Sequence, residues 1–142
     1  MTHYLLDACA LLAIFNDESE KDTVLDLLEQ TRSGAIRLSM SIVQLLEVYY
    51  DRLRCSGEEG ARIRVDSILA EPITIIESIS RDVMYEAGRF KTAYSMSLAD
   101  SIAAAINTPG AATAKSLAAA FVTKDDEFKE AEQAGEFSVL WL

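Results

Sequence analysis

The sequence is poor in the residues from which histidine- and cysteine-based sites are built. Its 142 residues include one histidine, His3, and two cysteines, Cys9 and Cys55. There is no CxxC pair and no Cys/His cluster, which argues against a zinc site. One histidine also gives little basis for a histidine-based catalytic triad or a His-rich metal site. We therefore interpret the two cysteines as reduced, mostly buried thiols.

Long apolar runs and an excess of basic residues are also missing. No apolar run reaches the roughly 20 residues that span a bilayer, and the amino-terminal segment lacks a basic region and is interrupted by Asp7. We therefore expect a cytoplasmic protein with no membrane segment. The formal net charge is −10, from 13 Lys and Arg against 23 Asp and Glu. This balance argues against non-specific nucleic-acid binding, and it fits either a cation-binding pocket or a basic partner.

Segments with strand character alternate with helical segments along the chain. We predict strands at residues 3–7, 35–39, 73–78, 119–123 and 136–141. We predict helices at residues 9–15, 17–34, 42–55, 58–71, 80–95, 97–106, 113–119 and 125–135. This alternation predicts one α/β domain over residues 1–142, with a mostly parallel sheet and helices on both faces.

Capping-box spacing marks the predicted start of three helices. The pairs are Asp17 with Glu20, Ser41 with Gln44, and Ser97 with Asp100. The helix that follows Ser41 is expected to end near Gly57. Its apolar residues have helical spacing, which predicts one buried face. That face consists of Ile42, Leu45, Leu46, Tyr49 and Leu53.

Four acidic residues stand where the sequence is apolar or where an element ends. Asp7 follows the first predicted strand, and Asp125 follows the strand that ends at Thr123. Glu47 has apolar helical neighbours, and Asp100 has small residues one turn further on. Each also has an ordinary reading, because Glu favours exposed helix positions and Asp favours caps and first turns. If the first strand and the Thr123 strand are near neighbours, Asp7 and Asp125 meet at one sheet edge.

A cluster of these four acids needs a counter-charge, because like charges at close range resist joint ionisation. A hard divalent cation resolves the conflict, since oxygen-only ligands suit Mg²⁺ or Mn²⁺. Mg²⁺ keeps several waters, and one such water can act as the nucleophile in phosphodiester hydrolysis. The pattern therefore favours a metal-dependent hydrolase with one or two ions.

Four segments carry these acids in order along nearly the whole chain: YLLDACALLAIFNDE, LSMSIVQLLEVYY, AYSMSLADSIAAA and AFVTKDDEF. The ordered set resembles the PIN-domain ribonucleases, most closely the VapC-type toxins of bacterial and archaeal toxin–antitoxin pairs. The resemblance implies a PIN-like three-layer α/β/α sandwich, Mg²⁺- or Mn²⁺-dependent RNA cleavage, and a tightly bound antitoxin protein. It matches the family's catalytic and metal-binding acids to Asp7, Glu47, Asp100 and Asp125.

One stretch departs from the family pattern. After SLADSIAAAI the family usually passes through a short turn into the next strand, but here NTPGAATAKSLAAA intervenes. This stretch leaves Asp126 as an alternative to Asp125. Thr123 is either a hydroxyl that serves water or phosphate in the site, or an ordinary β-branched strand residue.

RNA binding by so acidic a chain requires a local basic rim, because even two divalent ions would leave the total charge negative. Any one Lys or Arg is equally open to a simple reading as a solvated surface charge. The candidates are Arg52, Arg54, Arg62, Arg64, Arg89, Lys91, Lys115 and Lys124. The acidic surface also suits an antitoxin that places an Arg among the carboxylates. The apolar residues between positions 11 and 28 are candidates for its docking groove or for a homodimer face.

Other classes of protein fit the pattern less well. A phosphoacceptor receiver domain would have an acidic pair near the end of its first strand, and a haloacid-dehalogenase phosphatase needs Asp-x-Asp. Asp7, in the segment DACA, has no such neighbour. A catalytically silent PIN-like module that binds RNA or protein is the main alternative, and nothing favours it because all four acids are present. We therefore expect an endoribonuclease, the toxin of a toxin–antitoxin pair.

Overall fold

A parallel sheet of five strands forms the centre of the part that the structure describes. The structure is a computed structural model, and it describes residues 1–107 and 119–142. The strands are β1 (Thr2–Leu6), β2 (Ile36–Ser41), β3 (Ile73–Ile76), β4 (Ala120–Thr123) and β5 (Val139–Trp141). Their order is β3-β2-β1-β4-β5, and every pairing is parallel. The predicted α/β class is confirmed, with a sheet that is wholly parallel over the described residues.

Helices connect the strands. They are α1 (Ala8–Phe15), α2 (Lys21–Arg32), α3 (Ile42–Leu69), α4 (Arg81–Ala93), α5 (Leu98–Asn107) and α6 (Lys129–Gln133), with a 3₁₀ turn at Asp126–Phe128. The helix predicted at residues 113–119 lies outside the described residues except for Ala119, which is not helical. Lys115 lies outside them as well. Neither described range contains a helix with the length and apolar character that crossing a bilayer requires.

Alternate residues of the central strands build two apolar layers. Leu6 and Val122 pack in a core with residues of α1, α2 and α3. Leu5 and Phe121 face the other side and pack with residues of α4 and α5. β1 and β4 are therefore covered on both faces, which explains why their sequences are apolar without polar alternation.

The start of α2 differs from the prediction. Asp17 does not cap the helix, because it belongs to the turn that closes α1 and has a φ of 52°. Its backbone N–H donates to the Ile14 carbonyl, and its carboxylate accepts from Lys21 Nζ at 3.0 Å. The helix begins after Glu20 with no side-chain cap. The predicted Asp17–Glu20 capping box is therefore wrong.

The helix α3 is broken where its end was predicted. Gly57 has φ 74° and ψ −179°, a conformation that residues with a Cβ rarely adopt, and helical structure resumes directly after it. Ser41 caps the helix as predicted, because its hydroxyl accepts from the Val43 N–H at 3.1 Å. Gln44 does not complete the capping box, because its side chain contacts Ala8 and Asp100 instead.

The buried face of α3 is rotated relative to the predicted one. Leu45 and Val48 are buried, but Leu46 is 58% exposed, so its predicted burial is wrong. The buried stripe instead includes the polar residues Gln44 and Arg52. Both have polar hydrogen-bond partners, which offset the cost of burying them.

Candidate metal centre

Asp7 lies at the junction of β1 and α1, and three donors hold its carboxylate. It caps α1, because Oδ1 accepts from the Ala8 N–H at 2.7 Å. Oδ2 accepts from the Thr123 hydroxyl at 2.7 Å and from the Cys9 thiol at 3.2 Å. Only 4% of Asp7 is exposed. Burial raises the pKa of Asp7 above its usual value despite these hydrogen bonds, since burial disfavours the charged form.

Asp100 lies in the first turn of α5 and turns its carboxylate into the protein. Its N–H donates to the Ser97 hydroxyl at 3.1 Å, so Ser97 caps the helix as its spacing predicted. The Ser97 N–H donates to Glu127 Oε2 at 2.8 Å, which leaves Asp100 free of the capping role. Asp100 Oδ1 accepts instead from Gln44 Nε2 at 2.8 Å. As a result, only 3% of Asp100 is exposed.

Thr123, at the end of β4, joins two of the acids. Its hydroxyl donates to Asp7, and it accepts from the Asp125 N–H at 2.9 Å. Asp125 Oδ1 then accepts from the Glu127 N–H at 3.0 Å and caps the 3₁₀ turn. Thr123 is fully buried, so its hydroxyl orients Asp7 and the Asp125 turn from inside the protein.

The two adjacent aspartates have different environments. A carboxylate oxygen of Asp125 belongs to the acidic trio described below. Asp126 is exposed, and its carboxylate pairs with Lys129 Nζ at 2.7 Å. The structure therefore brings Asp125, and not Asp126, to the other acids.

Carboxylate oxygens of Asp7, Asp100 and Asp125 lie within 4.8 Å of one another, a cluster that we call the acidic trio. Burial, the charge of Asp7 and a hydrogen bond with Glu127 raise the pKa of Asp100 to about 9. Within the described ranges, no salt bridge joins a Lys or Arg to the trio. The trio offers oxygen ligands alone and negative charge without a basic partner, which fits a hard cation such as Mg²⁺ or Mn²⁺.

Glu47 lies near this cluster but does not belong to it. It is exposed on α3 and is not among the oxygens within 4.8 Å of one another. Partial burial of its carboxyl group, together with the charges of Asp7, Glu127 and Asp125, raises its pKa. Glu47 is therefore within electrostatic reach of the trio without being one of its members.

Gln44, Glu127 and Cys9 also contribute to the site, and the sequence reasoning did not identify them. The spacing of Gln44 after Ser41 predicts a capping box, and nothing in the sequence distinguishes Glu127 from other surface acids. A hydrogen bond with the carboxyl group of Asp100 lowers the pKa of Glu127. The sequence feature that points to a contact between Cys9 and Asp7 is their separation of two residues.

Several predicted rim residues are neutralised by neighbours. Arg52 is buried, and it donates to Asp51 and to Asn16 Oδ1 at 2.6 Å. Burial and pairing make it a poor candidate for an RNA contact. Arg89 donates to both carboxylate oxygens of Glu136 at 2.9 Å.

The other candidates for the basic rim differ in whether their charge is paired. Lys124 pairs with Glu18 and Glu20, and Lys91 donates to the Met96 carbonyl at 3.1 Å. The Arg54 guanidinium lies over the Tyr50 ring at 5.6 Å. No salt bridge joins Arg54 to a carboxylate in the part of the chain that is described.

A second pair of candidates lies further along α3. Arg62 pairs with Glu58 at 3.1 Å. The Arg64 guanidinium lies 5.5 Å from the Phe15 ring centre.

The fold and the site define a three-layer α/β protein with a buried acidic centre at the carboxyl edge of its sheet. The family model of the PIN domain matches residues 4–133. The chain belongs to the PIN domain family, and the predicted PIN-like architecture is confirmed.

Solved structures share the fold at low sequence identity. VapBC2 from Rickettsia felis, bound to a DNA fragment from its promoter, is 18% identical over 98% of each chain, with a TM-score of 0.71. A toxin–antitoxin complex from Klebsiella pneumoniae is 20% identical over 88% of this chain and 89% of that one, with a TM-score of 0.60. Mycobacterium tuberculosis VapC20, a sarcin–ricin loop cleaving toxin, is 16% identical over 72% and 79%, with a TM-score of 0.57. No curated protein matches the sequence.

Proposed function

We propose that the protein is a metal-dependent endoribonuclease that hydrolyses RNA phosphodiesters in the cytoplasm as the toxin of a toxin–antitoxin pair. The observation that carries this proposal is the acidic trio, in which Asp7 and Asp100 are buried and which has no basic partner in the described residues. Keeping all three acids ionised in such a cluster is unfavourable unless a cation binds there. Membership of the PIN domain family and the fold shared with VapC-type structures support the same reading.

In this proposal Asp7, Asp100 and Asp125 hold Mg²⁺ or Mn²⁺, and Glu47 completes the site. A bound ion would supply positive charge for the phosphate and would acidify a coordinated water. The chain keeps the trio in place through the Thr123 hydroxyl, which orients Asp7 and the Asp125 turn. Glu47, with its raised pKa and its exposure, is suited to accept and release a proton during hydrolysis.

Cleavage of purified RNA tests this function. We expect the protein to cut RNA with Mg²⁺ or Mn²⁺, to stop in EDTA, and to lose about a hundredfold or more of its rate in Asp7→Asn. Transfer RNA, ribosomal RNA and messenger RNA are assayed separately, so that the same experiment identifies the substrate. Equal cleavage by Asp7→Asn, or full activity in EDTA, would contradict the proposal. RNA binding without cleavage would favour the catalytically silent alternative.

An apolar hollow is our candidate for antitoxin docking. It is lined chiefly by α1 and α2, through Leu11, Ile14, Leu25 and Leu28, and the Arg32–Glu71 pair lies at its edge. The net charge of −10 favours a basic partner. We expect growth arrest on expression alone and relief when the neighbouring gene for a small basic protein is co-expressed. Persistent arrest with that neighbour would contradict the pairing.

The same hollow is the alternative candidate for a homodimer face. Light scattering of the protein alone should give twice the monomer mass if the predicted homodimer forms. Leu25→Asp, placed in the hollow, should then yield monomer if this face is used, and an unchanged dimer would place the interface elsewhere.

A further inference from the structure

Gln44 is a fully buried polar side chain next to the acidic trio, with 0% of it exposed. It lies in the first turn of α3, where the sequence predicted that it would reach back towards Ser41. Its side chain instead contacts the turns that begin α1 and α5.

The two ends of the Gln44 amide have different partners. Oε1 accepts from the Ala8 N–H at 3.1 Å, and Nε2 donates to Asp100 Oδ1 at 2.8 Å. The same Ala8 N–H also donates to Asp7 Oδ1 at 2.7 Å. Because a backbone N–H can only donate, the amide oxygen must face Ala8 and the amino group must face Asp100. One planar amide therefore connects the turn that holds Asp7 to the turn that holds Asp100.

A neutral donor is well suited to this position. The carboxylates of Asp7 and Asp100 repel each other, and burial strengthens that repulsion. A Lys or Arg here would neutralise the acids and compete with a divalent cation for them. An amide fixes the position of Asp100 without adding charge, so the negative charge of the trio stays available to a metal ion.

We propose that Gln44 is a positioning residue that holds Asp100 at the spacing from Asp7 that a divalent cation needs. This inference rests on the metal site of the proposed function. Gln44→Met has a similar volume and can neither donate nor accept a strong hydrogen bond. It is expected to weaken Mn²⁺ binding about tenfold, the lower end of the effect seen when the partners of metal ligands are removed.

Calorimetric titration of MnCl₂ into the full chain without RNA measures this effect. The matched control is Leu45→Met, which changes the next residue of α3, buried in the apolar core. We expect the control to bind Mn²⁺ within about twofold of the wild type. Equal Mn²⁺ affinity in Gln44→Met and wild type would overturn the inference, and so would an equal loss in Leu45→Met.

A second variant tests the inference if Gln44→Met folds poorly. Gln44→Asn keeps the amide but is one methylene shorter, so it cannot reach both Ala8 and Asp100. Its Mn²⁺ affinity, and the rise in Tm that Mn²⁺ produces, should also fall, and wild-type values for both would overturn the inference.

Cleavage kinetics provide a readout that a purely structural role would not change. The Mn²⁺ concentration for half-maximal cleavage should rise by the same factor as the Kd, whereas the KM for RNA at saturating Mn²⁺ should stay unchanged. An increase in KM with no change in Mn²⁺ requirement would overturn the inference. If wild type binds no Mn²⁺, the proposed function fails as well, whereas normal binding by wild type and Gln44→Met alike removes only the role of Gln44.

Discussion

Asp125 and Asp126 are neighbours in the chain, but only Asp125 belongs to the acidic trio. We predict that Asp125→Asn lowers the rate of RNA cleavage at least tenfold, because the site loses one charged ligand. Asp126→Asn is the matched control, since it removes the same group from an exposed residue paired with Lys129. Its cleavage rate should stay within about twofold of wild type, because exposed pairs contribute little. A larger loss in Asp126→Asn than in Asp125→Asn would reverse the assignment.

Asp100 makes the stability of the metal-free protein depend on pH. Its folded-state pKa of about 9 lies above its ordinary value, so its contribution to stability is fully present below about pH 4 and is lost as pH rises through about 9. We predict that the Tm of wild type minus that of Asp100→Asn, measured in EDTA, falls steadily between about pH 5 and pH 9. A difference that stays constant or grows would contradict the raised pKa.

Metal binding should show the opposite pH dependence. Protons compete with the cation for Asp7 and Asp100, whose pKa values are both raised. The rise in Tm that saturating Mg²⁺ produces should therefore increase over the same pH range.

At the scale of elements, two glycines have opposite conformational demands. Gly57 breaks α3 with a φ of 74°, whereas Gly88 lies within α4, and a Cβ on either would meet no atom within 4 Å. We predict that Gly57→Ala destabilises the protein by about 1–3 kcal/mol through backbone strain alone. Gly88→Ala should stabilise it by about 0.5–1 kcal/mol, because it restricts the unfolded chain. Urea unfolding measures both, and a neutral Gly57→Ala would show that the break does not need glycine.

The sequence predicted the order and type of the described elements better than their local chemistry. The apolar runs of β1 and β4 and the periodicity of the helices depend on nearby residues, and the structure confirms these elements. The predicted Asp17–Glu20 capping box is wrong, and the Ser41–Gln44 box forms only at Ser41, because residues of both pairs have other partners. Asp17 is used by the turn that ends α1, and Gln44 by a bond to Asp100 in a distant element. Spacing within a segment does not reveal such competing partners.

The site residues show the same limit. Asp7 follows β1 and Asp125 follows β4. The sequence predicts their approach on the condition that these two strands are neighbours, and the structure shows that they pair. Leu46 and Glu47 lie on α3, and the packing of this helix against other elements decides which of its faces is buried. The apolar periodicity of α3 alone therefore predicts a buried face that is rotated from the observed one. Glu127 could not be selected from 23 acidic residues, because its contact with Ser97 depends on how α5 meets the 3₁₀ turn.

At the scale of the whole molecule, a net charge of −10 opposes the approach of RNA. We predict weak non-specific RNA binding that falls about tenfold between 50 and 200 mM salt, because few basic groups contact phosphates. Filter binding with Asp7→Asn, which should not cleave, measures this dependence. Arg54→Gln should weaken binding more than Arg62→Gln, whose guanidinium already pairs with Glu58. Tight, salt-insensitive binding without metal would contradict this account.

The central claim is that a divalent cation binds where three separate elements bring Asp7, Asp100 and Asp125 together. Anomalous scattering from a crystal soaked in MnCl₂ tests it most directly, because the signal locates the ion independently of the protein atoms. The account predicts a peak at coordination distance, about 2.1–2.2 Å, from carboxylate oxygens of at least two of these residues. A soaked crystal with no peak at the acidic trio, or with Mn²⁺ bound only elsewhere, would contradict it.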